Sequence, residues 1–128
     1  MQGVPLTLPP GFPHGTLAAA RTLYWLADTT PDRARAFAAA FYRAYFGEGR
    51  DVSSAEATAD VAAGIGIDLA VLLDALQRPA VKDRLRAETD AALARGVFGS
   101  PYVMVDGEPF WGADRLDQVD LWLARGGW

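Results

Sequence analysis

The Asp106-Gly107 pair constrains this chain more than any other feature. Both residue types tolerate the backbone of a tight two-residue turn. They separate the apolar run Tyr102-Val103-Met104-Val105 from a second short run ending in Phe110-Trp111. Gly96 and Gly99 interrupt a long helical pattern ahead of this stretch, and Ser100-Pro101 leads into its first strand. Gly112-Ala113-Asp114-Arg115 then opens a last helix. The order is helix, proline-led strand, hairpin, strand, helix. A lone two-stranded hairpin is marginal in water, so the rest of the chain has to supply the core.

Helical periodicity supplies it. Thr16 is a candidate N-cap for a helix from Leu17 to Ala27. Thr30-Pro31-Asp32 is a helix start, with proline and an acidic residue in the first turn. Ala34, Phe37, Ala38, Phe41, Tyr42 and Tyr45 recur at spacings of three and four and predict one inward stripe to about Gly47. Ser53 or Ser54 caps a shorter helix ending near Gly64. Another begins at Ile67-Asp68 with Leu69, Leu72, Leu73 and Leu76 inward. Pro79 starts the next, to Arg95, with Val81, Leu85, Thr89 and Ala92 inward. The sixth runs from Arg115 to Ala124 with Asp114 as its cap. Near the N-terminus, Gly3 to Leu8 alternates weakly around Pro5 and predicts a short edge strand. Pro9-Pro10-Gly11-Phe12-Pro13-His14-Gly15 is a loop on its turn chemistry.

At 128 residues the chain is expected to form one domain, long enough to bury a real core. It is 51% hydrophobic and 22% charged, in the globular range. A net charge of −4 with no basic cluster argues against nucleic-acid binding. No run of about 18 apolar residues is present to span a membrane, and the first residues lack a signal-peptide pattern. There is no cysteine, which excludes disulfides, thiolate metal sites and a dithiol redox centre within these residues and suits a cytoplasmic protein. His14 is the only histidine; its proline- and glycine-rich loop points to a structural or solvated role, and no metal-ligand pattern surrounds it.

The final third resembles a particular family. Gly96-Val97-Phe98-Gly99-Ser100-Pro101, Val105-Asp106-Gly107 and Phe110-Trp111-Gly112-Ala113-Asp114-Arg115-Leu116 are similar to the C-terminal signature of 2-hydroxychromene-2-carboxylate isomerases, relatives of kappa-class glutathione transferases and of DsbA-like thioredoxin folds. Pro10-Gly11-Phe12-Pro13, Tyr45-Phe46-Gly47-Glu48-Gly49-Arg50-Asp51 and Pro79-Ala80-Val81-Lys82 resemble earlier joints of that family, in order. The resemblance implies an α/β, mostly helical fold: residues 1–14 and 96–128 as part of a thioredoxin-like unit, and residues 15–95 as an inserted all-α subdomain.

It also implies glutathione as cofactor. Ser100 and Pro101, joined by a cis peptide bond, would present backbone groups to the cysteinyl part; without the resemblance the pair reads as a trans proline opening a strand. Ala113 and Asp114 would hold the γ-glutamyl end at the helix start, where free amides and the helix dipole favour a carboxylate. Trp111 is the candidate to line an aromatic substrate pocket, while Phe98, Tyr102 and Phe110 default to core packing. The implied reaction is reversible thiol addition to a conjugated aromatic keto acid, rotation, and elimination. A kappa-type transferase, or a non-enzymatic relative used for dimerisation or ligand binding, are the alternatives.

Two departures qualify the resemblance. The family's first strand-helix unit, which carries the serine facing the thiol, would lie before Met1, and Gly15 stands where the family has an asparagine. The chain is therefore expected to hold at most half of the site. A fragment, a homodimer whose partner covers the strand edge, or direct pairing of Gly3–Leu8 with residues 100–105 would each accommodate this. The homodimer is the expectation.

Overall fold

The structure, a computed structural model, describes residues 3–127. They fall into two compact units, Met1–Ala87 and Glu88–Trp128, the boundary lying within helix α5.

The first unit is a helical cluster: α1 (Leu17–Thr29), α2 (Pro31–Tyr42), a π-helical turn (Arg43–Gly47), α3 (Ala55–Ala63), α4 (Leu69–Gln77) and the start of α5 (Pro79–Ala94). Pro31 occupies the first turn of α2 with Asp32 beside it. Ser54 and Asp68 accept backbone N–H bonds from Ala57 (3.0 Å) and Val71 (2.9 Å), capping α3 and α4. Thr16 makes no such bond at α1.

The core gathers Leu26, Phe37, Phe41, Tyr45, Val52, Ile67, Leu72 and Leu76 around small residues such as Ala59 and Ala62. Phe37, Leu26 and Leu72 are all but fully buried. Each contributes roughly 1.5–3 kcal/mol from burial. Two buried hydroxyls are satisfied locally: Thr22 donates to the Ala18 carbonyl (2.9 Å) and Thr58 to that of Val52 (3.3 Å). Arg84 reaches Asp28 at 2.9 Å and lies over the Tyr24 ring, tying α5 to α1.

The predicted stripe on α2 holds for Ala34, Phe37, Phe41 and Tyr45 but not for Tyr42, which is 61% exposed. Tyr42 sits where the α-helix widens into the π-turn and stacks outward on Phe46. Leu69, in the first turn of α4, and Thr89 also face outward, because each stripe is narrower than its count of apolar residues suggests.

The strand expected at Gly3–Leu8 does not form. Among the described residues the sheet contains only β1 (Tyr102–Val105) and β2 (Glu108–Trp111). Gly3 has φ +65°, out of the extended region; Pro5 has no N–H to donate; and the Thr7 N–H is taken by the Phe46 carbonyl (2.5 Å). The segment is thus anchored to the π-turn rather than laddered, and direct pairing with residues 100–105 is excluded with it.

The second unit contains the rest of α5, the β1–β2 hairpin, a 3-10 turn (Ala113–Arg115) and α6 (Leu116–Arg125). The strands are antiparallel with Tyr102 opposite Trp111 and Val105 opposite Glu108. Asp106 (φ 52°) and Gly107 (φ 86°) form the expected two-residue turn. Phe110, the buried residue of β2, meets Trp122 of α6 edge-on, and the Trp122 indole donates to Asp106 (3.1 Å).

Candidate functional site

The predicted site residues all belong to the second unit, and a short run of local constraints brings them together. Gly96, at φ 78°, ends α5; its N–H and that of Val97 bond back to Leu93 and Ala92 carbonyls, both at 3.0 Å. The chain then passes Phe98 and Gly99 to Ser100–Pro101, whose peptide bond is cis. The Gly112 N–H donates to the Pro101 carbonyl at 3.0 Å, one step beyond the last laddered pair. That bond sets the Ser100–Pro101 corner beside the Gly112–Ala113–Asp114 turn, at the end of the hairpin opposite Asp106-Gly107.

Two glycines make close approaches here. A Cβ at Gly99 would overlap the indole nitrogen of Trp111 and sit 3.0 Å from its Cδ1, so the indole rests directly on the backbone before Ser100. A Cβ at Gly112 would overlap Asp114 Oδ1, and Gly112 has φ 107° and ψ 150°, a region closed to other residues. Asp114 therefore folds its carboxylate back over Gly112. It lies within the 3-10 turn and is not the N-cap that the sequence predicts; neither Gly112 nor Arg115 caps by its side chain. Arg115 Nε is 3.7 Å from Asp114 Oδ2, a loose pair in solvent.

Ser100, Pro101, Ala113 and Asp114 are exposed, and neither backbone polar group of Ser100 has a hydrogen-bond partner among the described residues. Trp111 is 55% exposed and meets Phe98 edge-to-face at 5.0 Å; Phe98 also meets Tyr102 at 5.4 Å. Phe98 is 69% exposed, so it joins Trp111 on an aromatic surface rather than entering the core as its residue type suggests. Its place two residues before Ser100 was the only sequence signal. These groups fit a peptide ligand with a carboxylate: unbonded backbone groups at the cis corner, amides at a helix start, and an acidic side chain for an ammonium.

His14 belongs to the first unit. Its backbone N–H donates to the Tyr45 hydroxyl (2.9 Å), ring Nε2 faces the Pro10 carbonyl (2.9 Å), and ring Nδ1 is 3.4 Å from Asp51 Oδ1. Asp51 is held below the usual carboxylate range, chiefly by the Ser53 hydroxyl (2.6 Å) and then its amide (2.9 Å), with His14 adding to both. The assembly fastens the 9–14 loop, which contains a second cis bond at Phe12–Pro13, to the joint before α3. Among the described residues no group of three His, Cys, Asp or Glu could hold a metal ion, and no helix is long and apolar enough to cross a membrane.

The chain is similar to several known proteins. The family described as DSBA-like thioredoxin domain matches residues 1–124. A 2-hydroxychromene-2-carboxylate isomerase from Sphingobium xenophagum is 35% identical over 120 residues, which cover 94% of this chain and 60% of that protein. The structure of a 2-hydroxychromene-2-carboxylate isomerase superposes with a TM-score of 0.80 at 26% identity, covering 96% of this chain and 59% of its own. A candidate protein disulfide isomerase from Nitrosomonas europaea superposes at 0.74 with 24% identity over 96% of this chain and 67% of its own, a likeness of fold. The chain thus spans about 60% of the length of the isomerases it matches.

Proposed function

The chain belongs to the DSBA-like thioredoxin family, and we propose that it is a glutathione-dependent isomerase-like protein acting on aromatic keto acids of the 2-hydroxychromene-2-carboxylate type. The observation that carries this reading is the Gly112 N–H to Pro101 carbonyl bond, which sets the cis corner and the helix start side by side.

In this reading the free N–H and C=O of Ser100 receive the cysteinyl backbone as an added strand. The Ala113 amide faces the γ-glutamyl carboxylate, and the Asp114 carboxylate accepts from the α-ammonium group. Bound there, glutathione supplies a thiol for reversible addition to the conjugated double bond of the substrate. Trp111, seated on Gly99, offers its indole face to the aromatic part of that substrate. The protein's contribution is orientation of both partners. In this reading the residues at the hairpin end bind and orient glutathione. A cysteine-free chain working beside a reduced thiol belongs in a reducing cytoplasm. A homodimer completes the proposal, because Leu116 and Leu123, seven residues apart and so on one face of α6, are both exposed.

The test is an isomerisation assay on this chain and on a chimaera that adds the preceding segment of the Sphingobium relative. Glutathione-dependent turnover by the chimaera, lost in its Asp114→Ala form, is the expected result. A chimaera that folds, binds glutathione and turns nothing over would refute the isomerase reading.

A further inference from the structure

The first unit has a candidate site of its own. A half-open cavity of about 520 Å³ lies between the N-terminal segment and the end of α2, lined by Val4, Pro5, Ala39, Tyr42, Arg43 and Phe46 among others. Its size is within the roughly 300–1,000 Å³ of small-molecule sites.

Three features give its walls a chemistry. Tyr42 and Phe46 stack with ring centroids 5.8 Å apart and planes only 16° from parallel. This pair presents flat aromatic surface at the cavity, and the exposed Tyr42 ring has no partner on its other side among the described residues. The Arg43 guanidinium has no carboxylate or carbonyl partner there either. Glu48, the nearest acid in sequence, pairs with Arg50 at 3.8 Å instead. The Tyr42 hydroxyl likewise has no partner among the described residues. Finally, Arg43 and Phe46 lie in the π-turn that follows Tyr42, where the Glu48 N–H bonds to the Arg43 carbonyl five residues back (2.9 Å). Such single π-turns recur at functional sites, where they re-aim side chains that an α-helix would direct elsewhere.

An apolar cavity with a flat aromatic wall, one unpaired guanidinium and one free hydroxyl matches a planar aromatic ligand bearing a single carboxylate. The rings take the aromatic plane, and the planar fork of Arg43 takes the carboxylate through two parallel N–H···O bonds. We propose that the Tyr42–Arg43–Phe46 cavity is a binding site for planar aromatic monocarboxylates. The proposal is independent of the glutathione reading and stands if that reading fails.

The probe is 2-naphthoate, with 2-naphthylmethanol as its uncharged counterpart, each titrated into the chain by calorimetry and by amide NMR. The acid should shift the resonances of residues 39–47 and bind roughly tenfold more tightly than the alcohol. Arg43→Gln should reduce acid binding by a similar factor and leave the alcohol unchanged. Arg43 is exposed, so the variant retains the fold, and the acid–alcohol comparison needs no variant. Equal affinity for the two compounds, acid binding indifferent to Arg43→Gln, or shifts confined to residues outside this stretch would each overturn the proposal.

Discussion

Replacing Gly112 with alanine should loosen the hairpin end more than any other single methyl group added there. Two effects act together. The residue sits at φ 107° and ψ 150°, which costs a non-glycine residue on the order of 1–3 kcal/mol. The new Cβ also overlaps Asp114 Oδ1, so the carboxylate has to swing away from the backbone it covers. The Gly112 N–H to Pro101 carbonyl bond is the contact most exposed to this distortion. Hydrogen exchange of the strand amides reads the effect locally, and a loss of this size corresponds to roughly five- to hundredfold faster exchange. Adding Asp114→Ala to Gly112→Ala removes the overlap but not the backbone strain, so the double variant should recover only in part. Exchange within about twofold of wild type in Gly112→Ala would refute the requirement for glycine.

Other perturbations separate the remaining claims. Gly99→Ala meets only the exposed Trp111 indole on ordinary backbone, so it should displace that ring, visible as a change in Trp111 fluorescence, with little loss of stability. Phe37→Ala empties the centre of the helical core and should cost about 3–5 kcal/mol in urea unfolding of the first unit. Ser54→Ala removes the α3 cap and should cost about 1 kcal/mol by the same measurement. Asp51 has a lowered folded-state pKa, so its contribution is present above the unfolded carboxylate pKa and disappears as pH falls through the lower folded value. The stability of Asp51→Asn should accordingly fall less on the acid side than that of wild type. Sedimentation should give a dimer that Leu116→Glu with Leu123→Glu converts to monomer; a monomeric wild type would rule the dimer out.

Much of this was legible in residue order. Helix starts with local chemistry, such as Thr30-Pro31-Asp32 and Ser54, need no distant partner, and the Asp106-Gly107 turn encodes its own backbone. The family resemblance located Ser100, Pro101, Ala113 and Asp114, and the structure sets them around one hydrogen bond. What was not legible depends on contacts between distant residues or on competition for one donor. Gly3–Leu8 alternates like a strand, yet the Thr7 amide is claimed by Phe46, 39 positions on. His14 meets Asp51 across 37 positions. The π-turn at Arg43–Gly47 has no residue signature, so Tyr42 was counted into a stripe it leaves. Asp114 resembles a cap in sequence, but the 3-10 turn before α6 places it one step inside.

The most direct test of the account is an amide NMR titration of this chain with reduced glutathione, repeated on Asp114→Asn. The account predicts saturable shifts concentrated at Ser100 and at Gly112 through Asp114, weakened in the variant. Shifts absent from these residues, or unchanged by Asp114→Asn, would contradict it.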